Sequence, residues 1–298
     1  MVETLVLAAD GITVEVSPLF GAIWRFEAAI GGRTVPLMRP PGPNARAVAT
    51  DACCFPMIPF GNRVRGNRFT FENRDYVLEP NVDWDPHYLH GDGWISQWQV
   101  ARATGNSLTL SLAHGASHQS PYAYDSRQTF EIVGQALVTT LSVTNRGASV
   151  LPFGIGWHPF FPSSEGTTLF ARSSDYWEEG DGWLPTDRHR LPDELDFSTP
   201  RHLPRHWVDN GFEGWDGHAR IDWPEHGIAL EIDADPLFSR YFVFVSDTSF
   251  DPDFRGDFFC FEPMSHTPDG HHLLDGSNLQ RLAPGDTLSG TIRWKVTI

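Results

Sequence analysis

Residues 128–144 read QTFEIVGQALVTTLSVT. Two strand-like runs, Gln128 to Val133 and Ala136 to Thr144, flank Gly134-Gln135. β-Branched and aromatic side chains suit a pleated surface, and a short Gly step between two such runs marks a hairpin. The pattern repeats outward. Gln97 to Ala103 and Ser107 to Leu112 flank Gly105-Asn106, and Phe69 to Glu72 and Asp75 to Leu78 flank Asn73-Arg74. Ala22 to Ile30 and Thr34 to Met38 flank Gly31-Gly32, and Thr4 to Ala8 and Ile12 to Val16 flank Asp10-Gly11. Beyond the central hairpin the runs resume at Ile228 to Ile232, Tyr241 to Val245, Phe258 to Phe261 and Thr291 to Val296. Long stretches with apolar residues at i, i+3, i+4 and i+7 are missing, and 23 prolines and 27 glycines disfavour extended helix. The chain is therefore expected to be all-β and antiparallel. The number of strands favours a large double-sheet β-sandwich over a small barrel.

Two stretches are irregular: Arg39 to Asp51, rich in Pro and Ala, and Asp181 to Pro204, with many charges and prolines. Strand patterns continue after both. Each is expected to be a long loop over one sandwich, and residues 1–298 to form one domain.

Composition narrows the function classes. A net charge of −16 argues against nucleic acid and against an anionic membrane surface. The cysteines are three, Cys53, Cys54 and Cys260, a poor disulfide framework, so free buried thiols are expected. The opening MVETLVLAADGITVEV lacks a basic segment followed by an apolar one, and no run of about 18 apolar residues occurs. A cytoplasmic protein, monomeric or homodimeric, is the expectation.

Polar residues concentrate in apolar surroundings at four places: Pro59 to Val64, His87 to Trp94, Gly156 to Phe161 and Phe258 to His266. Glu262 follows the apolar run Phe258 to Phe261, and Pro263 is expected to stop the ladder directly after it. A carboxylate at such a strand end is a candidate general base, because desolvation raises its pKa. A rim salt bridge to an arginine is the structural alternative. His158, between Trp157 and Pro159, and His90, before Gly91, are candidate acid–base or ligand-binding groups; each could equally be a packed core residue. Arg63, after Asn62, could present a fork of donors to hydroxyls or a carboxylate. Trp84, Trp94, Trp98, Trp157, Trp183 and Trp215 lie near these clusters and could stack on sugar faces or simply fill the core.

Other chemistries find less support. There is no CxxC and no His-x-His, and a His87/His90 pair on a strand would point to opposite faces, so no metal is expected. No Gly-x-Ser-x-Gly elbow, dinucleotide fingerprint or P-loop is present.

Taken in order, Asn62-Arg63, Leu89-His90-Gly91, His158-Pro159-Phe160-Phe161 and Glu262-Pro263 resemble the aldose 1-epimerase (galactose mutarotase) family, and Asp209-Asn210-Gly211-Phe212 resembles its substrate-binding aspartate region. The resemblance implies a large antiparallel sandwich of the galactose mutarotase-like supersandwich type. It implies that Glu262 takes the proton from the C1 hydroxyl and that His158 gives one to the ring oxygen. Asn62, Arg63, His90 and Asp209 would bind the sugar, a free monosaccharide. The chemistry calls for no cofactor. Two positions depart from the galactose-type pattern and bear on which sugar is held: Asp92 replaces a second glycine, and Phe160 a tyrosine. Hexose-6-phosphate 1-epimerases share the fold and would need extra cations, for which Arg65, Arg68 and Arg74 are near in sequence. A non-catalytic sugar-binding domain would need no acid–base pair. A glycoside hydrolase would want two carboxylates, such as Glu262 with Asp209 or Asp92, and would leave the histidines unexplained.

Overall fold

The hairpin at residues 128–144 forms as read. In the computed structural model, which describes residues 2–273 and 276–298, Tyr124–Val133 and Ala136–Asn145 pair antiparallel from Tyr124↔Asn145 to Val133↔Ala136. They belong to a nine-stranded sheet whose centre also holds Thr287–Thr297 and Ile228–Ala234. A second sheet, of eleven strands, runs from the Leu5–Ala9 edge to the Leu184–Arg190 edge. At its centre lie Cys54–Met57, Gly156–Pro162, Phe258–Met264, Arg240–Val245 and Val208–Glu213, each antiparallel to the next.

The two sheets pack face to face. Alternate residues of each strand point inward, because successive side chains of a strand leave opposite faces. Trp157 meets Phe130 of the other sheet with ring centroids 5.8 Å apart, and Phe161 meets Trp294 at 6.3 Å. Phe259, Phe261 and Val243 join the same core, all fully buried.

The opposite face of the eleven-stranded sheet carries the polar clusters. Gly156 pairs with Met264 and Phe160 with Cys260, one register in which His158 stands opposite Glu262. Phe55 pairs with His158 on one side and Phe242 with Glu262 on the other. One row across the sheet thus reads Phe55, His158, Glu262, Phe242. The next row on that face reads Phe160, Cys260, Phe244, Asp209.

Two expectations are corrected. Pro263 does not stop the ladder: Phe258–Met264 continues past it, with Tyr241↔Pro263 and Arg240↔Met264 on one flank and Gly156↔Met264 on the other. The Arg240–Val245 flank carries the pairing through Pro263, and the Gly156–Pro162 flank, which skips residues 261–263, resumes at Met264, so Glu262 lies within the strand rather than at its end. The stretch 181–204 is also not one loop. Asp175–Gly180 and Leu184–Arg190 form a hairpin, closed by a turn over Asp181–Trp183. The 39–51 stretch is irregular as read, apart from one short turn at Ala49–Asp51. All three cysteines are free and buried, as expected. No helix among the described residues is long and apolar enough to cross a membrane.

Candidate active site

The polar face of the eleven-stranded sheet is the floor of a cavity of about 800 Å³, lined by Asn62, Arg63, His90, His158, Asp209 and Glu262 among others. All six residues singled out from the sequence meet there. They come from five separate parts of the chain, so the sheet register and two loops bring them together.

Glu262 and His158 touch. His158 Nε2 lies 3.3 Å from Glu262 Oε1, and the two residues are 2% and 9% exposed. The His158 ring stacks on Phe55 at 4.4 Å and stands perpendicular to His90 at 5.2 Å. This packing fixes the imidazole plane. Burial pushes Glu262 well above the usual carboxylate range, helped by the nearby Asp209 charge and opposed by Arg63. Burial pushes His158 the other way, down to about 3. Burial thus favours the neutral form of each group.

His90 and Asn62 define each other. His90 sits in the left-handed region at φ 55°, as does Asn62 at φ 60°. The Asn62 N–H donates to His90 Nδ1 at 3.0 Å, and the His90 N–H donates to the Asn62 carbonyl at 3.0 Å. With Nδ1 accepting, the ring proton is on Nε2. Burial holds His90 well below its usual pKa, so it offers a neutral N–H donor. The Asn62 side chain caps its own turn, Oδ1 accepting from the Arg63 N–H at 2.8 Å.

Arg63 is buried and aimed. Its Nε donates to Asp85 Oδ2 at 2.8 Å, Nη1 donates to the Trp183 carbonyl at 3.3 Å, and Nη1 lies 3.6 Å from Asp209 Oδ2. Its guanidinium also lies over the Trp183 ring, 5.1 Å from the centroid. Asp209 is raised to about 7 by burial, against the opposing pull of Arg63, with Glu179 and Asp85 adding to the rise.

Three buried polar atoms of this site have no hydrogen-bond partner among the described residues: His158 Nδ1, Asp209 Oδ2 and Glu262 Oε2. An unpaired buried polar atom costs about 1–3 kcal/mol. Three at one cavity floor mark a place built for a hydroxyl-rich ligand, which would satisfy them.

Several neighbours escaped the sequence reading. Asp85, which holds Arg63, is an ordinary loop acid in sequence and has no periodic signal. Phe242 and Phe244 read only as strand residues, and Phe55 fell between the stretches singled out. Arg39 lines the cavity with its guanidinium over Phe160 at 4.1 Å and Phe258 at 4.4 Å. Of the tryptophans, Trp84, Trp94 and Trp183 line the cavity, whereas Trp98, Trp157 and Trp215 are core.

Other candidates fall outside. Asp92 turns inward, accepting from Tyr88 Oη and from Ser120 Oγ at 3.3 Å, so its replacement of a glycine does not reach the ligand. Phe160 does line the cavity. Arg65, Arg68 and Arg74 do not: Arg65 is bound to Asp269 and to the Pro185 carbonyl, and Arg74 to Ser149. The lining instead holds Arg39, Arg46 and Arg63 against Asp51, Asp251 and Asp253, with Asp209 and Glu262 pushed towards their neutral forms, so it carries no excess of cations.

Known proteins place this geometry. A family model described as aldose 1-epimerase matches residues 4–295. The uncharacterized Escherichia coli (strain K12) protein YphB is 49% identical over 264 residues, covering 88% of this chain and 89% of that protein. A solved putative aldose 1-epimerase from E. coli K12 superposes with a TM-score of 0.93 at 45% identity, over 99% of each chain. A galactose mutarotase-like protein from Clostridium acetobutylicum shares the fold, with a TM-score of 0.85 at 15% identity over 99% of this chain and 95% of that one. With the match running from the first strand to the last, this chain belongs to the aldose 1-epimerase family.

Proposed function

We propose that this chain is a mutarotase, opening and closing the ring of a neutral free aldose and so interconverting its α and β anomers. The observation that supports this most directly is the contact between Glu262 and His158, two buried acid–base groups 3.3 Å apart on the floor of a cavity roomy enough for a sugar. Ring opening removes a proton from O1 and delivers one to O5. Glu262, as carboxylate, takes the O1 proton while protonated His158 gives its proton to O5. The C1–O5 bond breaks and C1 becomes an aldehyde. The pair then stands as carboxylic acid and neutral imidazole, the resting form that burial favours. After rotation about C1–C2 the roles reverse: His158 takes the O5 proton, Glu262 returns one to O1, and the ring closes on the other face. The pair carries one proton throughout, so nothing need be exchanged with water. His90 Nε2–H and Arg63 are placed to donate to the ring oxygen and neighbouring hydroxyls, and Asp209 Oδ2 to accept from a hydroxyl. The chain's net charge of −16 and a lining with no surplus of cations disfavour an anionic sugar.

Polarimetry on freshly dissolved α-galactose, α-glucose and arabinose tests the reading. Anomerisation faster than the buffer rate is expected for at least one. Calorimetric binding of these sugars with no rate enhancement would make the chain a sugar-binding domain instead.

A further inference from the structure

The mechanism leaves one buried thiol at the site without a task. Cys260 lies two residues before Glu262, on the same face of Phe258–Met264, and is fully buried. His158, Cys260 and Glu262 each offer one ligand atom, and these atoms all lie within 4.8 Å of one another. Imidazole, thiolate and carboxylate together are a donor set suited to Zn²⁺. Tetrahedral zinc, with bonds of about 2.0–2.3 Å, spaces its donors by roughly 3.3–3.8 Å, so small side-chain movements close the trio on an ion. Two further observations point the same way: Glu262 Oε2 and His158 Nδ1 are buried without hydrogen-bond partners among the described residues.

We propose that His158, Cys260 and Glu262 form a zinc site in which the metal excludes the sugar, making Zn²⁺ a reversible inhibitor that competes with the substrate. Binding displaces the Cys260 thiol proton and the Glu262 proton to solvent and forms Zn–S, Zn–N and Zn–O bonds; no oxidant or reductant takes part. The metal occupies the two groups that ring opening needs, so one protein molecule cannot hold sugar and zinc at this floor together. Inhibition of anomerisation rests on the mutarotase reading; metal binding does not.

The test uses the full chain, reduced and stripped of metal. Zn²⁺ titrated calorimetrically is expected to bind at one tight site per chain, and Cys260→Ser to weaken it at least tenfold. Co²⁺ is expected to give a thiolate-to-cobalt charge-transfer band in the near ultraviolet that Cys260→Ser abolishes. Cys260→Ala serves as the second variant, and circular dichroism shows whether each is folded. Zinc that binds Cys260→Ser as tightly as the wild type, or cobalt without the thiolate band, overturns the proposal, since the ion would then sit on surface histidines. If the wild type anomerises sugars and zinc binds through Cys260, inhibition must lift as sugar is raised; inhibition that sugar cannot relieve overturns the competitive part. A chain with the thiolate–metal band but no anomerase activity refutes the functional reading and leaves the metal site standing.

Discussion

At the scale of single residues, the proposed activity depends on one proton passing between the sugar and the Glu262–His158 pair. Glu262→Gln removes the group that holds it, and His158→Asn removes the group that exchanges it. Each variant is expected to lose about 10²–10⁴-fold in kcat, the usual worth of one positioned acid or base, with an unchanged circular dichroism spectrum. Full activity in both would mean that proton transfer runs elsewhere. Asp209 supplies a pH signature. Its carboxyl titrates near pH 7 in the folded protein against 3.8 ordinarily. A folded pKa that is raised gives stability present below the unfolded value and lost as pH rises through the folded one. Asp209→Asn is therefore expected to raise Tm at pH 8 and leave it nearly unchanged below pH 4. At about 1.4 kcal/mol per pKa unit the gain is a few kcal/mol. The same variant should abolish any inflection near pH 7 in kcat/KM. Residue types alone left Glu262 and His158 with structural readings as good as the catalytic one; their order along the chain with Asn62-Arg63, His90 and Asp209 singled them out. Their contact was not legible, because it depends on a register in which Gly156 meets Met264. Asp85 was invisible for a related reason: only its burial against Arg63 distinguishes it from other loop acids.

At the scale of elements, loops do the aiming and strands supply the floor. The 90–93 loop seats His90 through a backbone that only glycine fits at Gly91. That residue has φ 67°, and a Cβ there would lie 2.1 Å from the Ile58 carbonyl oxygen. Gly91→Ala is expected to cost about 2–4 kcal/mol, from left-handed strain plus overpacking. It should also raise KM by displacing the His90 donor. A thermal melt and steady-state kinetics on one preparation check both effects, and a variant as stable and active as wild type would show that the loop is not so constrained. The Trp183 turn is a second aiming device, pinned by Arg65 Nη2 on the Pro185 carbonyl at 2.7 Å and by Arg63 on the Trp183 carbonyl. Hairpins with Gly or Asn turns and one buried face were plain in the sequence. The Leu184–Arg190 strand was not, because it is an edge strand with five exposed residues in succession and shows no apolar alternation. Pro263 misled because a missing N–H ends a ladder only on the flank it faces: the ladder to Gly156–Pro162 skips residues 261–263, while Tyr241↔Pro263 keeps the other flank paired.

At the scale of the whole molecule, the sandwich separates two tasks between the faces of one sheet. The inward face of Gly156–Pro162 and Phe258–Met264 packs aromatic residues against the second sheet, and the outward face holds His158 and Glu262 in contact. Adjacent residues on one strand thus face core and cavity in alternation, which keeps the candidate pair on a rigid support. Charge sets the remaining selectivity. The chain carries −16 overall, and its cavity lining offers no surplus of cations to offset that field. A like-charged substrate is repelled on approach, and salt screens the repulsion. Galactose is therefore expected to show a higher kcat/KM than galactose 6-phosphate. The ratio should be largest near 0.01 M ionic strength, where the Debye length is about 30 Å, and should narrow towards 1 M, where it is about 3 Å. Coupled anomerisation assays across that range measure it. A preference for the phosphate that weakens with salt would instead show an attractive cationic subsite, with Arg39 and Arg46 as the arginines on the cavity wall available to form it.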